Sequence, residues 1–354
     1  MEKKNLPFTR RYPNKPYLIA GPCSAETEDQ VMAIARELAQ QEIELFRAGI
    51  WKPRTRPNSF EGVGVEGLKW LQNVKKETGL KVTTEVANAG HVLLAMKHDI
   101  DVLWIGARTT VNPFSVQEIA EAIKGVDIPV FIKNPINPDL NLWIGAIERI
   151  HKAGIRQIGA IHRGFSDYGN SRFRNNPRWN IPLELKKKFP NLMLLCDNSH
   201  ICGNREMLKE VAQKAFDLNY DGLMTETHID PDNAWSDAAQ QITPTRFEQL
   251  FNELVFRKEG NKQVQNDLVG LRAQIDELDA EIVELLGRRM NVSESIGRYK
   301  KENDISILQL KRWMEVSKSV QEMGARKGLT AEFVLAYLQA LHEESIDRQN
   351  GVMN

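Results

Sequence analysis

Eight short apolar runs, separated by amphipathic stretches, occupy the chain between Tyr17 and Phe256, and this alternation limits the fold more than any other feature. The runs are Tyr17–Ala20, Glu44–Ala48, Lys81–Val86, Val102–Ile105, Val130–Lys133, Gln157–Ile161, Met193–Cys196 and Gly222–Thr225, rich in Val, Ile and Leu. Segments such as Gln30–Gln40 and Arg205–Phe216 lie between them with helical spacing. Strands alternating with helices imply a parallel sheet joined by crossover helices. Eight such units over roughly 240 residues match a (β/α)8 barrel. A doubly wound open sheet competes, but no Gly-x-Gly-x-x-Gly opens the chain to favour it.

After Phe256 the period changes. Lys258-Glu259-Gly260-Asn261-Lys262 reads as linker, and apolar residues then recur at Val264, Leu268, Leu271, Ile275, Leu278, Ile282 and Leu285. Steps of four and three mark a helical seam with a repeat of seven. The seam continues through Val292, Ile296 and Tyr299, interrupted by Arg289. Helical stretches follow at Leu308–Gly324 and Thr330–Gln349. The expected organisation is a barrel over 1–256, a linker over 257–264 and an all-α unit over 265–354, whose long first helix needs a partner to cover it.

Lys plus Arg and Asp plus Glu are both 47, so the chain lacks the basic footprint of a nucleic-acid binder. No apolar run approaches the roughly 18 residues that span a bilayer. Met1–Tyr17 is polar and basic, unlike a signal peptide. Three cysteines, Cys23, Cys196 and Cys202, are too few for a disulfide scaffold and fit a reducing cytoplasm.

Barrels of this kind build their active sites at the C-terminal ends of the strands. Those ends carry Cys23; Arg47 and Lys52; Glu85; Arg108; Lys133; His162 and Arg163; His200; Glu226 and His228. Five converging cations, Arg47, Lys52, Arg108, Lys133 and Arg163, repel one another unless anions fill the space between them. Arg suits bidentate phosphate or carboxylate and Lys a phosphate as a point charge. Solvated or salt-bridged loop residues are the ordinary alternative. Cys23, His200, Glu226 and Asp237 mix thiolate, imidazole and carboxylate, a set suited to a divalent transition metal. Singly, each also reads as a buried thiol, a loop histidine, a cap or an ion pair. Cys196, His200 and Cys202 form a rival set, disfavoured because strand neighbours point to opposite faces.

Four motifs then make a resemblance specific: Gly21-Pro22-Cys23-Ser24-Ala25-Glu26, Lys52-Pro53-Arg54-Thr55, Ile105-Gly106-Ala107-Arg108 and Trp235-Ser236-Asp237-Ala238-Ala239-Gln240-Gln241. In this order, from about Pro16 to Phe256, they resemble the short (type I beta) form of 3-deoxy-D-arabino-heptulosonate 7-phosphate (DAHP) synthase. That family, related to 3-deoxy-manno-octulosonate 8-phosphate synthase, condenses phosphoenolpyruvate with erythrose 4-phosphate on a metal-dependent barrel. The resemblance implies Cys23, His200, Glu226 and Asp237 as ligands of Mn, Fe, Co or Zn. It implies Arg47, Lys52, Arg108, Lys133 and Arg163 around phosphoenolpyruvate, Lys52, Pro53, Arg54 and Thr55 around the aldose phosphate, and Lys52 as a proton shuttle. The octulosonate enzymes usually carry Lys-Ala-Asn-Arg where this chain has Lys52-Pro53-Arg54-Thr55, which favours the four-carbon sugar. Two positions depart from many short-form relatives: Asn134-Pro135 replaces Arg-Gly, and Ile161-His162 replaces Cys-Glu.

In the helical half, Lys300 lies eleven residues beyond Arg289, within roughly 20° on a helix, whereas Arg272 falls about 100° away. Arg289 and Lys300 can therefore line one pocket while Arg272 reaches a neighbouring chain's. Ser345 and Gln349, four apart, share a face. A coiled-coil dimerisation helix with a register-setting Arg explains the same pattern. The spacing of Leu271-Arg272, Asp276, Asp279, Arg289, Gly297, Lys300, Arg312, Ser345 and Gln349 resembles the all-helical chorismate mutases, interlaced three-helix dimers that convert chorismate to prephenate. By that resemblance Arg272 and Arg289 grip the carboxylates, Lys300 and Gln349 address the ether oxygen, and Ser345 and Arg312 line the pocket. Trp313 stands where many relatives have Glu. The expectation is a cytoplasmic, dimeric, bifunctional enzyme that contacts neither nucleic acid nor membrane, with the helical half also a seat for pathway control. Alternatives are a helical half that only senses and dimerises, and a barrel that makes the eight-carbon sugar acid.

Overall fold

The computed structural model of the protein describes residues 8, 10–52, 60–167, 171–257 and 262–354, with side chains in the last stretch from Leu268 onward. The chain divides into two compact units, Met1–Arg257 and Lys258–Asn354. The first opens with β1 (Tyr17–Gly21), α1 (Glu28–Leu38), β2 (Leu45–Arg47), α2 (Val65–Thr78), β3 (Val82–Val86), α3 (Ala89–Lys97) and β4 (Val102–Ile105). It continues with α4 (Ala107–Thr110), α5 (Pro113–Ala122), β5 (Val130–Lys133), α6 (Leu140–Lys152), β6 (Ile158–His162) and α7 (Asn180–Lys188). It closes with β7 (Met193–Asp197), α8 (Asn198–Cys202), α9 (Leu208–Asp217), β8 (Gly222–Glu226) and α10 (Pro244–Asn252).

The strands run in sequence order around a closed barrel, every neighbour parallel, and β8 returns to β1 from Tyr17↔Gly222 to Gly21↔Glu226. All eight expected apolar runs are strands, with ends shifted by a residue or so. They read as unbroken apolar runs because both faces are covered, by helices outside and side chains inside. The interior holds Phe8, Tyr17, Ile19, Leu45, Val102, Trp104, Phe131, Ile161, Met193, Leu195 and Met224. Phe8 enters from the N-terminal side and stacks on Phe131 with ring centroids 4.4 Å apart.

Helix starts are set by side-chain caps that satisfy otherwise orphaned amides. Thr27 accepts from Gln30 N, Asn112 from Phe114 N ahead of Pro113, and Asp139 from Leu142 N. Asp197 accepts from His200 N and so begins α8 directly where β7 ends.

The second unit is α11 (Lys262–Glu302), α12 (Leu310–Arg326) and α13 (Ala331–Met353). Because α11 begins at Lys262, residues 262–264 of the expected linker lie in its first turn. Its buried positions among the described side chains include Met290, Ser293, Gly297 and Lys300, spaced three, four and three. A Cβ on Gly297 would lie 2.6 Å from Val352 Cγ2 and 3.0 Å from Gln349 Cα, so only glycine allows this approach of α11 to α13. Among the described residues no helix is long and apolar enough to cross a membrane.

Candidate functional site

Side chains alternate between the two faces of a strand, so residues two beyond a core position face the barrel axis one layer higher. Arg47 follows Leu45, Lys133 follows Phe131, Asp197 follows Leu195 and Glu226 follows Met224, each moving from the interior cluster to the mouth. All four are buried, Arg47 at 1% exposure and Lys133 at 4%. Trp104 forms the floor beneath them: its ring lies 5.0 Å from the Arg47 guanidinium and 5.7 Å from Lys133 Nζ, and its Nε1–H donates to Glu85 Oε2 at 2.9 Å.

Cys23, Glu226 and Asp237 offer ligand atoms within 4.8 Å of one another. The Cys23 thiol donates to Asp237 Oδ2 at 3.2 Å and accepts from Lys52 Nζ at 2.9 Å. Burial, then Glu226 and Asp237, push Cys23 up to about 12, opposed by Lys52 and Arg47, so the thiol is protonated until a cation joins it. Glu226 Oε1 is buried, 3.1 Å from Arg47 Nη2, yet among the described residues nothing donates a hydrogen bond to it. An orphaned carboxylate oxygen beside a thiol and a second carboxylate fits a divalent transition metal. Burial works against the Asp237 charge, but His200, Arg174 and Lys52 hold its carboxyl well below the usual range. His200, the fourth expected ligand, is not within that group. Its Nδ1 lies 3.0 Å from Asp197 Oδ1 and 3.7 Å from Glu226 Oε1. A carboxylate on one ring nitrogen is the usual way a metal-binding histidine is oriented.

The expected cations divide by how their charge is met. Lys133 Nζ meets Asp197 Oδ2 at 2.6 Å. Burial opposes the charge on Arg47 as well, but Glu226 and Asp197 outweigh it and raise its pKa. Among the described residues nothing accepts from Arg47 Nε and Nη1, both buried. Two buried guanidinium N–H groups without acceptors cost about 1–3 kcal/mol each unless a ligand supplies oxygens. Lys52 Nζ donates to Cys23 O at 3.0 Å as well as to its sulfur. Among the described residues Arg163 has no carboxylate partner; its Nη1 donates to Asn175 Oδ1 at 2.6 Å. Burial, with Arg174 and Arg108 nearby, lowers Arg163 to about 10, so it stays charged at neutral pH and gains from an anion. Arg108 is exposed at the start of α4. Pro53, Arg54 and Thr55 lie outside the described residues.

Other strand-end residues play different parts. His162 points away from the axis, its Nε2 donating to Pro177 O at 2.7 Å and its Nδ1 accepting from the Tyr220 hydroxyl at 3.0 Å. His228 pairs with Glu26 at 3.3 Å. Cys196 and Cys202 sit in the layer between barrel and helices, which separates them from the mouth. Sequence reasoning passed over Asp197, which joins Lys133 to His200, although its place at the end of β7 could have marked it. Trp104 and Asn175 were also missed, since an apolar strand residue and a loop amide carry no signal of their own.

In the helical unit, Arg289 Nη1 donates to Ser345 Oγ at 2.6 Å, and Lys300 Nζ to Gln349 Oε1 at 3.0 Å and to Ile307 O at 2.6 Å. Gln349 Nε2 donates to Ser293 Oγ at 3.3 Å, bringing in a residue the sequence did not flag. Burial pulls Lys300 below its ordinary pKa. Arg272 is exposed and outside this grouping; Arg312 is exposed beside Glu315 at 3.4 Å. Trp313 stacks on His342 with centroids 3.9 Å apart.

A parallel barrel with buried cations and a thiol–carboxylate cluster at its mouth, followed by a helical unit with paired polar side chains, has the parts of an enzyme in two modules. The chain belongs to the DAHP synthetase I family, whose model matches residues 12–260. The chorismate mutase type II model matches residues 271–350, and the two modules indicate transferase and isomerase activities. A phospho-2-dehydro-3-deoxyheptonate aldolase of Thermotoga maritima is 27% identical over 237 residues, covering 67% of this chain and 68% of its own. A 2-dehydro-3-deoxyphosphooctonate aldolase of Helicobacter pylori is 30% identical over 272 residues, covering 68% and 95%. The solved structure of the Thermotoga maritima DAHP synthase superposes with a TM-score of 0.61 at 26% identity, over 67% of each chain.

Proposed function

We propose that the barrel, spanning 1–256, joins phosphoenolpyruvate to erythrose 4-phosphate with release of phosphate, and that residues 265–354 rearrange chorismate to prephenate. The observation that carries the first reading is Arg47, buried with Nε and Nη1 lacking acceptors among the described residues, next to the thiol–carboxylate cluster. Arg47, Lys133, Arg163 and Arg108 hold the phosphate and carboxylate of phosphoenolpyruvate, their fixed charges requiring no reorganisation as charge develops. Pro53, Arg54 and Thr55 with Lys52 receive the aldose phosphate. Cys23, His200, Glu226 and Asp237 hold a divalent transition metal, which when bound supplies Lewis-acid polarisation of the aldehyde. The enol carbon attacks that aldehyde, water adds to the electron-poor carbon, and the adduct expels phosphate. Lys52 Nζ hands a proton to the new alkoxide, making it a hydroxyl, and recovers one from the water that adds.

For the rearrangement no acid, base or nucleophile is needed, only a compact conformer and charge on the ether oxygen met by fixed donors. Arg289 and a partner chain's Arg272 grip the carboxylates. Lys300 and Gln349 face the ether oxygen, and Ser345 and Arg312 complete the pocket of a homodimer. The reading includes a cytoplasmic location and inhibition of the barrel by chorismate or prephenate bound to the helical unit.

The purified chain is expected to consume phosphoenolpyruvate with erythrose 4-phosphate and not with arabinose 5-phosphate; the opposite preference would support the eight-carbon reading favoured by the octulosonate relatives. Cys23→Ser is expected to lose metal content and synthase activity together, and full activity with undiminished metal would sink the ligand assignment. Arg289→Ala is expected to abolish chorismate loss and to relieve inhibition of the synthase by prephenate. A wild-type chain that binds chorismate without converting it would make the helical unit a sensor only.

A further inference from the structure

Arg174 and Asn175, adjacent residues of the stretch 171–177 that follows β6, touch both halves of the proposed site. The Asn175 carboxamide accepts from Arg163 Nη1 at 2.6 Å through Oδ1 and donates to His200 O at 2.6 Å through Nδ2. Asn175 is 9% exposed, so both bonds are shielded from water. Arg174 Nη1 lies 2.9 Å from Asp237 Oδ1 and 2.6 Å from Gln240 Oε1. One dipeptide thus ties a cation meant for phosphate to two residues meant for metal.

The segment is held firmly enough to transmit such a tie. Asn176 exchanges backbone hydrogen bonds with Phe165 at 2.9 and 2.8 Å, and the amides of Arg174 and Asn175 donate to Cys202 O and Ile201 O of α8. Pro177 O receives the buried His162 Nε2–H. Gly164 has φ +78°, and a Cβ there would lie 2.4 Å from Asn175 O. Asn134, the first of the two departures after β5, donates to Gly164 O at 2.7 Å and accepts from Arg163 N at 2.7 Å. Asn134 and His162, one from each of the two residue pairs set apart from many short-form relatives by the resemblance above, therefore both brace this one segment.

We propose that Asn175 is a positioning residue that couples phosphoenolpyruvate binding to metal binding. It acts by fixing Arg163 and the backbone of His200 in one hydrogen-bonded unit. The inference rests on the assignments above of Arg163 to the phosphate and His200 to the metal. When an anion draws Arg163 toward itself, the carboxamide moves with it and shifts α8; when a metal fixes His200, Arg163 is already in place. Coupling of this kind is reciprocal, each ligand tightening the other by the same factor.

The test is calorimetric titration of phosphoenolpyruvate into the full-length chain, metal-stripped and Mn2+-loaded, in wild type, Asn175→Ala and Asn175→Asp. Wild type is expected to bind phosphoenolpyruvate at least about fivefold tighter with Mn2+ present. Asn175→Ala is expected to bring that ratio close to one and to weaken binding in the metal-free chain. Asn175→Asp keeps an acceptor for Arg163 and loses the donor to His200, so it is expected to lose the ratio, its carboxylate also lowering metal-free affinity by competing with the phosphate for Arg163. It also decides the matter should the alanine variant not fold. An unchanged ratio in a folded variant, with or without a change in melting temperature, overturns the proposal. Wild type that binds neither Mn2+ nor phosphoenolpyruvate overturns the site assignment beneath it.

Discussion

Trp104 has no charge, yet its indole lies within 5.0 Å of Arg47 and 5.7 Å of Lys133 and holds Glu85 by a hydrogen bond. Desolvated cation–π contacts are worth about 2 kcal/mol each, and removing a buried Trp leaves a costly cavity. Trp104→Leu is therefore expected to lower stability by about 3–5 kcal/mol in denaturant titration. Its KM for phosphoenolpyruvate should rise roughly tenfold, or about 1.4 kcal/mol, because two phosphate-facing cations lose their support. An unchanged KM in the folded variant would count against that supporting role. At this scale the sequence was informative about cations and poor about what orients them. Arg47 and Lys133 were legible because cations recur at several strand ends that converge on one mouth. Trp104 and Asn175 were not, because an indole in a strand and an amide in a loop look ordinary until their partners are known.

At the scale of elements, His162 fastens the end of β6 to the segment at Pro177 and to Tyr220. Burial lowers its pKa to about 3, so it stays neutral in the folded chain across most of the acid range. An unfolded histidine titrates near 6.5, so between pH 6.5 and 3 the unfolded state binds more protons and stability falls as pH falls. His162 is expected to cost on the order of 2 kcal/mol on going from pH 6.5 to 5. His162→Gln, which keeps a donor for Pro177, should flatten the pH dependence of the melting temperature over that window; an identical slope would exclude His162 as its source. In the helical unit Gly297 sets how closely α11 and α13 approach. Gly297→Leu is expected to cost about 1–3 kcal/mol and to displace Gln349 from Lys300, seen as a lower thermal transition and lost chorismate turnover. Elements were the most legible level. Strand alternation and the step of three and four are local signals, and the helix from Ala331 to Met353 begins at the Thr330 cap that closes the preceding loop.

For the whole molecule, the seam expected on α11 is left uncovered by α12 and α13: Leu271, Ile275, Leu278, Ile282 and Leu285 are 48–58% exposed. The residues facing α13 are instead Met290, Ser293, Gly297 and Lys300, a different stripe of the same helix. In the proposed homodimer the second chain covers this seam and lends its Arg272 to the Arg289 pocket. Ile275→Glu with Leu278→Glu is expected to turn a dimer into a monomer by sedimentation and to lower chorismate kcat/KM at least about a hundredfold (~2.7 kcal/mol). The metal-stripped barrel should keep its phosphoenolpyruvate affinity in that variant. Turnover undiminished in a monomer would remove Arg272 from the pocket.

By itself the sequence determined the order of eight strands, the change of period after Phe256, and which ionisable residues stand at the strand ends. These follow from local rules, the period of two in a strand and 3.6 in a helix, that need no knowledge of distant neighbours. Only the tertiary structure decided how those charges are spent: Lys133 on Asp197, Glu226 with an oxygen that no described residue donates to, and Arg163 held by Asn175. Such pairings join residues 12–64 positions apart in the chain. They depend on barrel closure to bring the strand ends within hydrogen-bond distance, and no local pattern encodes which partner each will find.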